Sequence, residues 1–255
     1  MIKLIISGCN GRMGKVLTEL CAADDGVEIV AGFDAYTAKL ADYPVYAHPL
    51  EYSGTADALI DFSNAAALEP LLAWCVEKKV PAVLCTTGYS DGQLAAIEDA
   101  AKKIPVFKSA NMSLGITLLT ELLKKASAVL GENYDIEIVE KHHNQKKDAP
   151  SGTALMLADA VSEGLSYKPE YVYDRSGVRQ VRGKTEIGIS AVRGGNIPGE
   201  HSVYYAGMDE VIEFKHTIYS RNVFAAGAIK AAKFMAGVKE PGKYNMNDVL
   251  RDILG

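Results

Sequence analysis

The period of the hydrophobic positions changes several times along the chain, and each change marks an element. Residues 3–7 (KLIIS) form a short β-rich apolar run that breaks at the glycine-rich GCNGRMG, after which Val16, Leu17 and Leu20 recur at helical spacing. The order is strand, glycine turn, helix. VEIVAGF (27–33), ALIDFS (58–63), PAVLCTTG (81–88) and PVFKSAN (105–111) repeat the strand signature, with a helix over AAALEPLLAWCVEKK (65–79). Strands that alternate with helices predict a mainly parallel, doubly wound α/β sheet.

The pattern changes after Asn111. Leu114, Leu118, Leu119, Leu122, Leu123, Ala126 and Leu130 predict one long amphipathic helix, followed by strand-like DIEIVEKHH (135–143). TEIGISAV (185–192), HSVYYAG (201–207) and EVIEFKHTI (210–218) are β-rich segments joined by loops, as in an α+β domain with a mostly antiparallel or mixed sheet. Residues 222–236 return to helical composition, and a domain boundary falls near Met112.

Bulk composition narrows the function classes. With 255 residues and 48% hydrophobic content the chain can bury a substantial core, and a net charge of -5 argues against a general nucleic-acid or anionic-membrane surface. Cys9, Cys21, Cys75 and Cys85 are scattered without a C-x-x-C pair, which predicts no metal site and reduced thiols in a cytoplasm. No secretory leader pattern and no membrane-spanning apolar run is present, so no membrane partner is expected.

Gly8, Gly11 and Gly14 stand between a strand and a helix with the spacing of a variant dinucleotide fingerprint, which predicts a Rossmann-like domain. Glycines admit the pyrophosphate close to the backbone, and the helix N-terminus presents unpaired N–H groups to that anion. Asp34 closes the second strand, where an acidic side chain can accept hydrogen bonds from ribose hydroxyls. Ala35 follows it and no arginine is adjacent, which favours NADH over NADPH, although Arg12 or Lys39 could serve a 2′-phosphate. TTG (86–88) and SAN (109–111) end later strands and are candidate nicotinamide contacts.

EKHHNQKKDAPSGTA (140–154) admits three readings: a solvated charge run, a metal site, or an anion-binding catalytic site. Adjacent histidines at a strand end face opposite ways and no second ligand cluster accompanies them, which disfavours metal. Ser151 stands at an N-cap position, and Ala154, Leu157, Ala158 and Val161 continue at helical spacing, so a helix opens near Gly152. Its free N–H groups, with Thr153, can hold a carboxylate, while Lys146 and the histidines add positive charge and transferable protons. A desolvated lysine among cations is expected to have a lowered pKa.

GCNGRMG, DFS, TTGYS, SANMSLG, EKHHNQKKDAPSGTA and RGGNIPGEH stand in the order and spacing of the 4-hydroxy-tetrahydrodipicolinate reductase (dihydrodipicolinate reductase) family, and the resemblance spans nearly the whole chain. It implies NAD(P)H-dependent reduction of a cyclic dicarboxylate in the lysine and diaminopimelate route. It makes His142 and Lys146 the proton-handling pair, and His143, Lys146, Ser151, Gly152 and Thr153 the substrate contacts. Cofactor contacts would be Gly8, Cys9, Asn10, Gly11, Arg12, Met13, Asp34, Phe62, Cys85, Thr86, Thr87, Ser109, Ala110, Asn111 and Met112. It further implies a dinucleotide-binding domain over 1–112 and 222–255, a substrate-binding and oligomerisation domain over 113–221, and a homotetramer. Cys85 replaces the usual glycine and Ala35 an arginine found in many members. RGGNIPGEH reads as a site-shaping hairpin loop with Glu200 and His201 at its rim, His216 as a half-buried strand residue and His48 as a loop residue. Rival readings are an amino-acid dehydrogenase or semialdehyde reductase, and a dinucleotide-sensing module without turnover.

Overall fold

A computed structural model describes residues 1–177 and 179–254. The chain divides into two units, Met1–Ser113 with Arg221–Gly255, and Leu114–Ser220.

The first unit opens with β1 (Ile2–Ser7), α1 (Arg12–Ala22), β2 (Val27–Phe33), β3 (Val45–Tyr46), β4 (Ala58–Asp61), α2 (Leu68–Lys78), β5 (Ala82–Leu84), α3 (Asp91–Ala101) and β6 (Pro105–Lys108). The second unit contributes α4 (Leu114–Leu130), β7 (Asp135–His142), α5 (Gly152–Gly164), β8 (Glu170–Val172), β9 (Glu186–Arg193), β10 (Glu200–Ala206) and β11 (Val211–Thr217). The chain then returns to the first unit with α6 (Asn222–Met235), β12 (Gly242–Tyr244) and α7 (Met246–Leu254).

All strands of the first sheet are parallel, in the order β12-β6-β5-β4-β1-β2-β3. Leu4, Ile5 and Ile6 of β1 are fully buried on both faces, as a central parallel strand requires. Strand order reverses between β1 and β4, so their C-terminal ends flank the crevice where open α/β sheets bind ligands. The strands stop at Asp61, Leu84 and Lys108, short of the runs predicted from composition, and the remainders (FS, CTTG and SAN) form loops on that edge. Helix α6 is lined with buried Ala225, Gly227, Ala228, Ala231 and Ala232, and a Cβ at Gly227 would fall 1.7 Å from the Met112 carbonyl oxygen. Small side chains here allow close backbone approach.

Helix α3 was not foreseen from the apolar pattern, yet Ser90 and Gln93 cap it reciprocally in a capping box. The two- and three-residue strands β3, β8 and β12 are too short to show a period in the sequence.

The second unit's sheet runs β11-β10-β7-β9-β8 and is mixed: β10 is antiparallel to β7 and β11, whereas β7, β9 and β8 are parallel. Helices α4 and α5 supply Ile116, Leu119, Leu123, Leu157 and Val161 to a core closed by Ile136, Ile138, Ile187, Ile189, Val203 and Tyr205. Tyr205 satisfies its buried hydroxyl against Ser127 Oγ at 2.7 Å. Val192 and Val211, elsewhere on the sheet, are exposed. No helix among the described residues is long and apolar enough to cross a membrane.

Candidate active site

In the first unit two cavities lie on the crevice edge. The smaller, about 350 Å³, is lined by Gly8, Gly11, Asp34, Ala35, His48 and Phe62 among others. The glycine turn is built for close approach. Gly8 has φ +77, and a Cβ at Gly14 would fall 2.2 Å from the Gly8 carbonyl oxygen, so only glycine lets α1 start against the turn. Gly11 is the N-cap of α1, no side chain caps it, and the first turn carries no acidic residue. Those N–H groups suit a pyrophosphate. Asp34 is fixed by the backbone: Oδ2 accepts from Asn10 N at 2.9 Å and Oδ1 from Tyr36 N at 3.0 Å. No Lys or Arg lines this cavity among the described residues, and neither Arg12 nor Lys39 reaches it.

The larger cavity, about 560 Å³, is lined by Met13, Phe62, Cys85, Thr86, Thr87, Ser109, Ala110, Asn111 and Met112, all predicted cofactor residues. Tyr89, Lys108, Arg221 and Phe224 also line it; Tyr89 stands in the TTGYS motif and Lys108 in the PVFKSAN run, but neither pattern gave them a role. Thr86 Oγ1 is buried there without a well-formed hydrogen bond. An uncapped helix start, a fixed carboxylate and an unsatisfied hydroxyl are the donor and acceptor set that a dinucleotide takes. Three predicted contacts, Cys9, Asn10 and Arg12, line neither cavity. Cys9 is buried, its Sγ packed where a Gly32 side chain would stand, and burial pushes its thiol up to about 11. Asn10 Nδ2 donates to the Ala38 carbonyl and ties the glycine turn to the loop after β2.

In the second unit a polar cluster continues the apolar core. Along β7 the inward positions run Ile136, Ile138, Glu140, His142, so the core row turns polar at the strand's end. Register places His201 of β10 opposite Glu140, and Arg193 of β9 opposite His142. Glu140 is fully buried and accepts four hydrogen bonds. His142 Nδ1 at 2.6 Å and Arg193 Nη1 at 2.7 Å reach Oε2, while Arg193 Nη2 at 2.6 Å and Ser151 N at 3.0 Å reach Oε1. Burial alone would raise its pKa, but Arg193, His142 and the Ser151 amide outweigh that and hold the carboxyl below the usual range.

Ser151 is the N-cap of α5: its Oγ accepts from Ala154 N at 3.1 Å and meets His201 Nε2 at 2.9 Å. Its hydroxyl is therefore committed to the scaffold. His201, expected at a loop rim, is instead buried with its ring edge-on to His142 at 5.1 Å, and burial with the adjacent His142 pushes its pKa down to about 4. Glu200 alternates away from it and pairs with Lys141 and Lys215. His216 is half-buried on β11, where alternation placed it.

A Cβ at Gly152 would meet nothing within 4 Å, so space is open before the first turn of α5. His143 and Thr153 are half-buried, and the loop from His142 is clasped by Asn144 N to the Gly195 carbonyl and Gly194 N to the His142 carbonyl. Lys146 Nζ contacts Asp148 Oδ1 at 2.9 Å, so its nearest charged neighbour is an acid and not the second cation that the sequence suggested. No group of three or more His, Cys, Asp or Glu side chains is arranged for a metal among the described residues.

Known proteins match this chain along nearly its whole length. Residues 2–112 match the family model described as dihydrodipicolinate reductase, N-terminus, and residues 115–250 the one described as its C-terminus. The 4-hydroxy-tetrahydrodipicolinate reductase of Caldanaerobacter subterraneus subsp. tengcongensis is 53% identical over 251 residues, covering 98% of this chain and 99% of the relative. That of Clostridium tetani is 50% identical over 250 residues, covering 98% and 97%. A solved dipicolinate-bound dihydrodipicolinate reductase from Paenisporosarcina sp. TG-14 shares the fold, with a TM-score of 0.78 at 24% identity and 100% of each chain covered. Fold and family together define an oxidoreductase of the nicotinamide dinucleotide-binding class. Matching models for both halves and close relatives along the full length identify its branch: the chain belongs to the dihydrodipicolinate reductase family.

Proposed function

We propose that this chain reduces 4-hydroxy-tetrahydrodipicolinate to tetrahydrodipicolinate with loss of water, using NAD(P)H, in lysine and diaminopimelate biosynthesis. The observation that carries the reading is the cluster in the second unit. A helix start open to a ligand, a histidine with one committed ring nitrogen, and Lys146, whose charge is felt by His201 in the same cluster, make up the set needed to bind a dianion and move protons. The relative bound to dipicolinate, itself a dicarboxylate, supports the substrate class.

The first unit holds the cofactor, with the Gly8–Met13 turn on the pyrophosphate, Asp34 on the adenosine ribose, and the loops at 85–87 and 109–112 around the nicotinamide. When bound, the reduced nicotinamide supplies the hydride. In the second unit the Gly152 and Thr153 backbone, His143 and Lys146 hold a substrate carboxylate, Ser151 sets the helix start, and His142 and Lys146 handle protons. Asp34 with no Lys or Arg in its cavity favours NADH, because a 2′-phosphate would face a carboxylate without a counter-charge. The family resemblance supports assembly of a homotetramer through this unit. Four free cysteines accord with a cytoplasmic setting.

The test is a steady-state assay of purified protein with enzymatically generated substrate, following NADH and NADPH oxidation. Substrate-dependent oxidation with the larger kcat/KM for NADH is expected, and Lys146→Ala should lower kcat by about 10²-fold or more. No oxidation with either cofactor overturns the reading.

A further inference from the structure

We infer that Glu140 is a positioning residue of this site: paired with Arg193, it fixes His142 with a proton on Nδ1 and leaves Nε2 as the working atom. The inference rests on the role proposed above for His142. A carboxylate with no exposure needs full compensation, and Glu140 has it in the fork of Arg193. An ionised carboxylate only accepts, so the 2.6 Å contact requires His142 Nδ1 to be the donor. The second nitrogen is then the one free to exchange a proton with substrate. Gly199 keeps space beside it, since a Cβ there would stand 3.3 Å from Nε2.

The same carboxylate ties two parts of the site together. Oε1 accepts the Ser151 amide at the mouth of α5, eleven residues along the chain, so the imidazole and the helix start that faces substrate hang from one group. Arg193 is itself anchored, donating to the Asp148 carbonyl at 2.7 Å as well as to Glu140. His201 cannot substitute for Glu140, because its Nε2 is engaged with Ser151 Oγ. Register explains why a glutamate is required. On this inward row an apolar residue would leave Arg193 a half-buried, unpaired cation, and a glutamine would turn an N–H toward it or toward His142.

Two measurements test this. Nitrogen-15 NMR of the His142 side chain in the wild-type protein, at a pH where the ring is neutral, should report hydrogen on Nδ1 and a bare Nε2; the opposite tautomer overturns the inference. In kinetics, Glu140→Gln should lower kcat about 10- to 100-fold, the scale for losing a partner that orients a working histidine, with a much smaller change in the cofactor KM. On a His142→Ala background the same change should cost several-fold less in kcat than in the wild type, because the share that acts through His142 is already lost. Multiplicative losses overturn the inference, whereas His142→Ala with unchanged kcat removes His142 and the reading beneath it. If Glu140→Gln does not fold, Glu140→Asp retains the charge beside Arg193 while withdrawing from His142, and it should show the same loss in kcat; wild-type kcat in that variant overturns the inference.

Discussion

Acidification should destabilise the second unit through His201 before its carboxylates protonate. His201 is 5% exposed, and burial, reinforced by His142, pushes its pKa from 6.5 to about 4. The sign follows from linkage. Below about pH 6.5 the unfolded chain takes up a proton that the folded protein refuses, so stability present at neutral pH is lost as pH falls toward the folded value. The two values correspond to about 2 kcal/mol lost by about pH 5 and about 3 kcal/mol by about pH 4. Glu140 acts in a lower window: its stabilisation is present above the ordinary 4.5 and disappears only as pH falls through its lowered folded value. At about pH 5 the histidine effect therefore dominates. His201→Gln removes the titration while retaining an amide that can reach Ser151 Oγ. Urea unfolding followed by far-ultraviolet circular dichroism at about pH 7.5 and about pH 5 should show the wild type losing about 2 kcal/mol more than the variant. Equal losses in both, or a His201 NMR titration centred near 6.5, would refute the reasoning.

Two further outcomes concern the cofactor crevice. Asp34→Ala should lower kcat/KM for NADH by about 10-fold or more, the loss of one charge-assisted contact, and leave the two cofactors more nearly equal; isothermal titration with each cofactor checks it independently of turnover. Gly14→Ala places a methyl group 2.2 Å from the Gly8 carbonyl oxygen, so the turn must shift. Its melting temperature should fall and dinucleotide affinity should drop with it, whereas a variant that binds NADH normally would contradict the account of the turn.

Much of the fold was legible because its elements are long and periodic. Strands β2, β7, β9, β10 and β11, and helices α4 and α6, stand within about two residues of their apolar patterns. The glycine turn and the start of α5 were legible from local chemistry, since Ser151 and Gly11 announce helix starts whatever the tertiary context. The polar cluster was only half legible. Alternation along β7 already puts Glu140 on the core row with Ile136 and Ile138, a signal that the neighbouring histidines overshadowed. Arg193 and His201 could not be placed, because their partners follow from the register of β9 and β10 against β7, which no local pattern encodes. Lys146 shows the same limit: the chain shows its cationic neighbours, but the fold of the loop brings Asp148 to it.

Every role proposed for these residues depends on hydride passing from a nicotinamide to the cyclic dicarboxylate on this chain. NADH carrying deuterium at the transferred C4 position, supplied with enzymatically generated 4-hydroxy-tetrahydrodipicolinate, tests it most directly by mass spectrometry of the product. The expected product is tetrahydrodipicolinate heavier by about one mass unit, formed in step with cofactor oxidation, since a direct hydride donor delivers its label to the substrate. Cofactor oxidised without label in the product would contradict it.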